Sequence, residues 1–435
     1  MSNLYTFTGG VRVQEDAFER SVSHQAIEIM PAPELVEIAL PEASEPCINV
    51  GDKVLLGQLL VSADCKIPAH SSVSGEVISI KYEDDRAAVV IKNDFSDSRD
   101  PSIAPFPRRV TEATPEEIVE LIRRAGIVES RDGTSVARRV ECAIGCARRI
   151  LIDCTECEPF LGARRGLLLE HPTHVLNGAK ILLRALEVEY DDVVIEESRM
   201  DAIRKLEEVI GNNPLLRLRV TATKYPQSDR RLVINSVTGK ELPARETTAQ
   251  LGYVVFSAEV CADIFRAFAE GMPQIEKLLT VAGDAIEEQK LLRVRVGTRI
   301  SDVEAFCGGT EELAAIVTGG LMRGSLLSVD REYYIQKSDC ALLYVTDRYF
   351  RSSRYSGCVR CGACVASCPM HLLPLYLAKH AEKGNLKKAV SMGLKTCIEC
   401  GTCTYNCSGG VRHVYHIRNA KAAYNASRKK EEHDE

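Results

Sequence analysis

The hydrophobic pattern changes period along the chain. "NVGDKVLLGQLL" and "KIPAHSSVSGEVISI" alternate apolar and polar positions over short stretches broken by glycine, which predicts short strands joined by tight turns. Across residues 120–235 the period lengthens. Helix-like stretches, "HPTHVLNGAKILLRAL" and "DAIRKLEEVIGNN", alternate with the strand candidates "RILIDC", "VVIEES" and "LLRLRVTATKYPQ". That β-α-β-α-β order predicts a parallel α/β sheet, with any ligand at the strand ends. Cys154 and Glu196 are expected there. Residues 282–345 read as short strands around "ISDVEAFCGG". Residues 370–396 return to helical spacing, with Gly384 and Asn385 dividing two short helices, and "VYHIRNAKAAYNASRKK" continues as helix.

Composition narrows the function classes. A chain of 435 residues calls for several domains. The formal charge of -6 argues against general nucleic-acid binding. No apolar run approaches the roughly 20 residues of a membrane span, and "MSNLYTFTGGVRV" carries no cleavable leader pattern. A cytoplasmic protein is expected, with any membrane association through a partner. The charge is unevenly placed: residues 348–435 hold 15 Lys+Arg against 6 Asp+Glu, a formal +9 that leaves -15 on the rest. Such cations can offset anionic clusters or form a solvated basic face. Arg348, Arg351 and Arg354 are candidates for a rim that docks an acidic partner.

The cysteines carry the chemistry. Cys358, Cys361, Cys364 and Cys368 read C-x2-C-x2-C-x3-C-P; Cys397, Cys400, Cys403 and Cys407 repeat the spacing with Ser408 in place of proline. Three thiolates two residues apart wrap one face of a cubane, while the fourth crosses to the other cluster in two-cluster proteins. The expected centres are therefore a [4Fe–4S] cluster on Cys358, Cys361, Cys364 and Cys407, and another on Cys397, Cys400, Cys403 and Cys368. Structural zinc prefers paired C-x2-C knuckles, and a disulfide framework would imply secretion. The helical linker predicts an α-helical ferredoxin domain rather than the compact hairpin-linked kind.

The order of "TFTGGVRV", the strand-rich segment, "ECEPF", "KYPQ", "GGLMRG" and the paired cysteine motifs resembles the RnfC family, a component of the Rnf electron-transport complex, over essentially the whole chain. The resemblance implies a multidomain α+β protein. Residues 1–97 would form an N-terminal strand and a barrel-sandwich hybrid, and 98–245 an α/β domain like the flavin subunit of complex I. A β-grasp (SLBB) domain would span 246–346, and the helical ferredoxin domain 347–435. The barrel has no lysine at its hairpin tip, where Ser71 to Ser74 stand, so no swinging cofactor is expected. The family also implies FMN, NADH, and Rnf-complex subunits as partners.

Departures qualify that implication. The family's flavin loop is rich in glycine directly after "AGIVG"; here "AGIV" is followed by "ESRDGTSVARR", with Gly133 alone surviving. Glu129 and Asp132 place negative charge where a phosphate would lie, an unfavourable arrangement. The family's acidic pair after "ECEPY" is replaced by Arg164 and Arg165, although Glu156 and Glu158 match its acidic loop and could shape a pocket. FMN and NADH binding are therefore not expected to carry over intact. In the same region Cys142 and Cys146, flanked by Arg138, Arg139, Arg148 and Arg149, and Cys154 and Cys157 form a candidate thiol redox group, or a small metal site, on one side of the domain, with small buried side chains as the competing reading. Burial is the expectation for Cys47, Cys65, Cys261, Cys307 and Cys340. The chain is thus expected to pass electrons to a partner reductase, with the proline-reductase-associated PrdC branch the nearest fit. A flavin-dependent NADH oxidoreductase and a peripheral Rnf subunit are the alternatives.

Overall fold

The computed structural model describes residues 4–13, 22, 25–62, 65–83, 86–130, 132–243, 246–328, 332–349 and 356–433. Strand β1 (Ile27–Ile29) precedes β2 (Leu35–Ala39), β3 (Lys53–Val54), β4 (Gly75–Glu83) and β5 (Arg86–Asn93). The last four form an antiparallel sheet in the order β2-β5-β4-β3. Period-two alternation puts Val36 and Ile38 of β2 into a core with Val77, Val89 and Ile91. The serines at the hairpin tip are buried: Ser71 donates to the Val73 carbonyl and Ser72 to the Val296 carbonyl, both at 2.6 Å. This turn is a packing surface against the next sheet.

Helix α1 (Pro115–Arg124) starts on a capping box, in which Thr114 and Glu117 satisfy each other's backbone amides, with proline at the first position. It is followed by α2 (Val136–Glu141), β6 (Arg149–Asp153), α3 (Ala163–Glu170), α4 (Pro172–Leu186), β7 (Asp191–Glu196), α5 (Met200–Ile210), β8 (Leu216–Thr221), α6 (Arg230–Thr238), β9 (Tyr253–Ser257) and α7 (Ala258–Glu270). The strands are all parallel, in the order β8-β7-β6-β9. Every residue of β7 is buried, as in a strand covered on both faces. Strand β9 corrects the expected boundary at residue 246: it pairs with β6, and α7 packs with this unit, because an apolar strand and an amphipathic helix there complete the parallel sheet.

The next sheet is built from β10 (Glu276–Ala282), β11 (Lys290–Arg295), β12 (Ala315–Thr318), β13 (Ser325–Leu327) and β14 (Ala341–Val345). Its order is β1-β11-β10-β14-β12-β13. Between β11 and β12, "ISDVEAF" forms helix α8 (Ile300–Phe306), whose Ile300 and Val303 enter the core. Because β1 joins this sheet, the N-terminal residues are shared among units rather than confined to the barrel.

The cysteine-rich region is helical: α9 (Ala363–Ala366), α10 (Pro374–Glu382), α11 (Leu386–Ser391), α12 (Thr402–Tyr405) and α13 (His413–His433). The break between α10 and α11 falls where expected. Gly384 adopts φ +68° and the Asn385 side chain caps α11. Leu377, Ala378, Ala389, Leu394, Ile417 and Ala420 form its small core. Among the described residues no helix is long and apolar enough to cross a membrane.

Candidate electron-transfer site

The repeated sequence gives repeated geometry. Arg360 and Glu399 are both left-handed, at φ +57° and +54°, as are the glycines that precede α9 and α12. In each copy the first sulfur accepts from the amide two residues on, Arg360 to Cys358 and Glu399 to Cys397. The last accepts from the amide four residues on, Leu372 to Cys368 and Val411 to Cys407, all at 3.4 Å. Amides aimed at sulfur stabilise thiolate and are a lever on cluster potential.

The fourth cysteine of the first motif stands with the trio of the second. Cys368 lines one small cavity with Cys397, Cys400 and Cys403, walled by Leu377, Val414 and Ile417. Burial pushes the Cys397 thiol up to about 11, with Cys400 and Cys368 adding negative charge. Cys407 acts on Cys364 in the same way, secondary to burial. Cys361, at the surface, is lowered chiefly by the Ala363 amide, with the Ser408 hydroxyl adding to it. Among the described residues no three donors gather closely enough to hold a single metal ion. The donor set and spacing fit a cluster, whose corners are held separately.

The other family-like motifs contact one another and the cysteine-rich region. Glu158 of "ECEPF" accepts from the Met322 amide at 3.0 Å, and a Cβ on Gly320 would come within 2.2 Å of its carboxylate. A side chain at Gly320 would therefore have to displace the Glu158 carboxylate. Tyr225 of "KYPQ" donates to the Cys400 carbonyl at 2.6 Å; burial, with Glu158 beside it, holds the phenol protonated. In "TFTGG", the Gly10 amide donates to the Ser367 carbonyl, and a Cβ on Gly9 would meet the Cys368 carbonyl at 2.8 Å. These couplings were not read from the sequence. The motifs themselves were its only signal.

At the carboxyl ends of β6 and β9 lies a cleft of about 650 Å³ lined by Glu129, Asp153, Arg164, Ser257, Ile398 and Glu399, among others. Arg164 fills its floor, bonded to Asp153 at 3.0 Å and to both oxygens of Glu259 at 3.1 and 3.0 Å. Burial opposes its charge, but Glu259 and Asp153 outweigh that and keep the guanidinium firmly protonated. Glu156 accepts from the Arg164 and Arg165 amides, capping the first turn of α3 with negative charge. Its own carboxyl is raised by burial.

The altered loop closes on itself. The Glu129 amide bonds the Thr134 carbonyl, and the Gly133 amide bonds the Glu129 carbonyl, both at 3.0 Å. Glu129 pairs with Arg139 and Asp132 with Arg230, each at 2.5 Å. These carboxylates and inward-turned amides do not fit a phosphate cradle.

The candidate thiol group is not assembled. Cys142 caps the end of α2, and Cys146, beyond that helix, precedes β6; both are exposed. Cys154 follows β6 at its other end and is buried. A strand of five residues, roughly 16 Å, separates the pairs. A strand carries its flanking residues to opposite ends of the sheet, which is why the grouping fails. Burial, with Asp153 adjacent, pushes the Cys154 thiol well up. Cys157 accepts from the Ser228 amide and hydroxyl at 3.3 and 3.1 Å. Arg139 and Arg149 are engaged by Glu129 and Asp192. Of the scattered cysteines, Cys261 and Cys307 are buried, Cys65 and Cys340 half-buried, and Cys47 exposed, contrary to expectation. Of the proposed docking rim, Arg351 and Arg354 lie outside the described residues.

Residues 5–96 match the RnfC barrel-sandwich hybrid domain, 108–266 the Nuo51 FMN-binding domain, and 352–408 a 4Fe-4S dicluster domain. The chain is 32% identical over 401 residues to the C subunit of the proton-translocating ferredoxin:NAD(+) oxidoreductase complex of Clostridium ljungdahlii, covering 89% of this chain and 86% of that one. It is 31% identical to the C subunit of the Na(+)-translocating complex of Acetobacterium woodii, covering 89% of each. A crystal structure of an NAD+-reducing [NiFe]-hydrogenase in the H2-reduced state superposes with a TM-score of 0.51 at 17% identity. That superposition covers 74% of this chain and 63% of the other, a likeness of fold alone.

Proposed function

The chain belongs to the RnfC family, and from that premise we propose that it is an iron–sulfur electron-transfer protein whose flavin pocket has been rebuilt. Cys358, Cys361, Cys364 and Cys407 would hold one [4Fe–4S] cluster, and Cys368, Cys397, Cys400 and Cys403 the other. The observation that carries this is the cavity Cys368 shares with the second trio. When bound, the clusters supply one-electron redox chemistry. The chain itself supplies amides to the sulfurs, an apolar wall around the buried set and solvent access to the exposed one.

Arg164, locked between Asp153 and Glu259, and the self-bonded loop at Glu129–Thr134 favour a cleft without FMN and a chain without NADH dehydrogenase activity. Retained FMN is the second reading, favoured by the size of the cleft, by Ile398 and Glu399 in its lining, and by the match of residues 108–266 to an FMN-binding family. We assign the strand-helix-strand unit of residues 276–345 to the β-grasp (SLBB) type.

Exposed Cys358 and Cys361, with exposed Val359 and Arg360 between them and exposed Arg412 next to the Val411 amide that bonds Cys407, form the face at which a partner would meet the chain. The relatives are C subunits of ion-translocating complexes, which supports another subunit of such a complex as that partner, with any membrane association running through it. The finer placement in the PrdC branch, with proline reductase as acceptor, rests on the altered loop alone. Anaerobic analysis of iron, sulfide and released flavin tests the proposal, with NADH-dependent dye reduction beside it. About eight irons without flavin or NADH activity supports it; stoichiometric flavin with NADH oxidation favours the second reading.

A further inference from the structure

The backbone of the Cys397–Cys403 loop is bonded by side chains from outside it. Lys421 Nζ donates to the Cys397 carbonyl at 2.5 Å, Arg323 Nη2 to the Ile398 carbonyl at 2.7 Å and the Tyr225 hydroxyl to the Cys400 carbonyl at 2.6 Å. Each donor is itself anchored. Lys421 pairs with Glu399 at 2.8 Å, and Arg323 pairs with Asp229 at 2.9 Å while its carbonyl accepts from Arg418 at 3.0 Å. Tyr225 is 2% exposed. The equivalent stretch of the other quartet, Cys358 to Gly362, is open to solvent.

A cluster gains an electron more readily when cations and donor dipoles stand near it in a poorly solvated place. We propose that Tyr225, Arg323 and Lys421 are positioning residues that raise the reduction potential of the centre held by Cys368, Cys397, Cys400 and Cys403. This rests on the two-cluster assignment above. Arg323 also lines the cleft at the strand ends, so the same contact ties the centre to whatever the cleft holds.

The test is a potentiometric titration of the reconstituted full chain, followed by electron paramagnetic resonance, with Tyr225→Phe, Lys421→Met and Lys421→Arg. Iron content is measured on every sample. In Tyr225→Phe and Lys421→Met the midpoint of one centre moves to more negative potential while the other stays in place, and Lys421→Arg keeps the wild-type value. Because Tyr225 is buried, Lys421→Met gives an independent arm should Tyr225→Phe fail to load. Unmoved midpoints in fully loaded variants, or equal shifts of both centres, would overturn the proposal. A wild-type iron content far from about eight would instead overturn the two-cluster assignment beneath it.

Discussion

The two cysteine quartets share a spacing and a backbone, yet their surroundings differ. Cys368, Cys400 and Cys403 are 9%, 7% and 6% exposed, inside a cavity closed by helices of the domain and bonded to "KYPQ" and "GGLMRG". Cys358 and Cys361 face solvent beside Arg360. Equal ligands in unequal environments give unequal potentials and unequal access. On the proposed assignment the buried set lies beside the interior cleft, which Ile398 and Glu399 help to line, and the exposed set is open to a partner.

That contrast can be broken experimentally. The largest effect expected is on iron loss: an anaerobic chelator should strip about half the iron quickly, from the exposed set, and the remainder slowly. A single phase would erase the distinction between the quartets. Next, Arg164→Met strands Asp153 and Glu259 as buried carboxylates. It should cost about 3–5 kcal/mol in the α/β unit while leaving both quartets loaded, as read by chemical unfolding and iron analysis. Unchanged stability would mean that the ion triad does not fill the old pocket.

Smaller is Glu158→Ala, which leaves the half-buried Met322 amide without its acceptor. About 1–3 kcal/mol should be lost, with faster iron release from the buried set alone. Smallest, Arg360→Glu with Arg412→Glu should slow electron exchange with an acidic ferredoxin by about tenfold or less and flatten its salt dependence. An unaltered salt profile would move the docking face elsewhere.

Much of this was legible in the chain. Period-two and helical spacing located the barrel, β6, β7, α4 and α5, because these signals are local. Cysteine spacing singled out the quartets for the same reason. The boundary near residue 246 was misplaced because nothing local says that β9 pairs with β6 rather than with the strands after it. The thiol group failed on direction: residues before and after one strand cannot share an end. Arg164 and Arg165 read as damage to a pocket, whereas their partners, Glu259 and Asp201, lie far away in sequence. Tyr225 was noticed only as a motif letter and Glu158 as a shaper of a pocket; the fold shows Tyr225 bonded to the Cys400 carbonyl and Glu158 to the Met322 amide.

The central claim is that two centres are assembled from crossed quartets, and ligand replacement tests it most directly. In Cys407→Ser, iron analysis and electron paramagnetic resonance should find the exposed centre lost or converted and the buried one intact, the same outcome as Cys358→Ser. Cys368→Ser should do the reverse. If Cys407→Ser instead damages the centre of Cys397, Cys400 and Cys403, the crossed assignment is wrong.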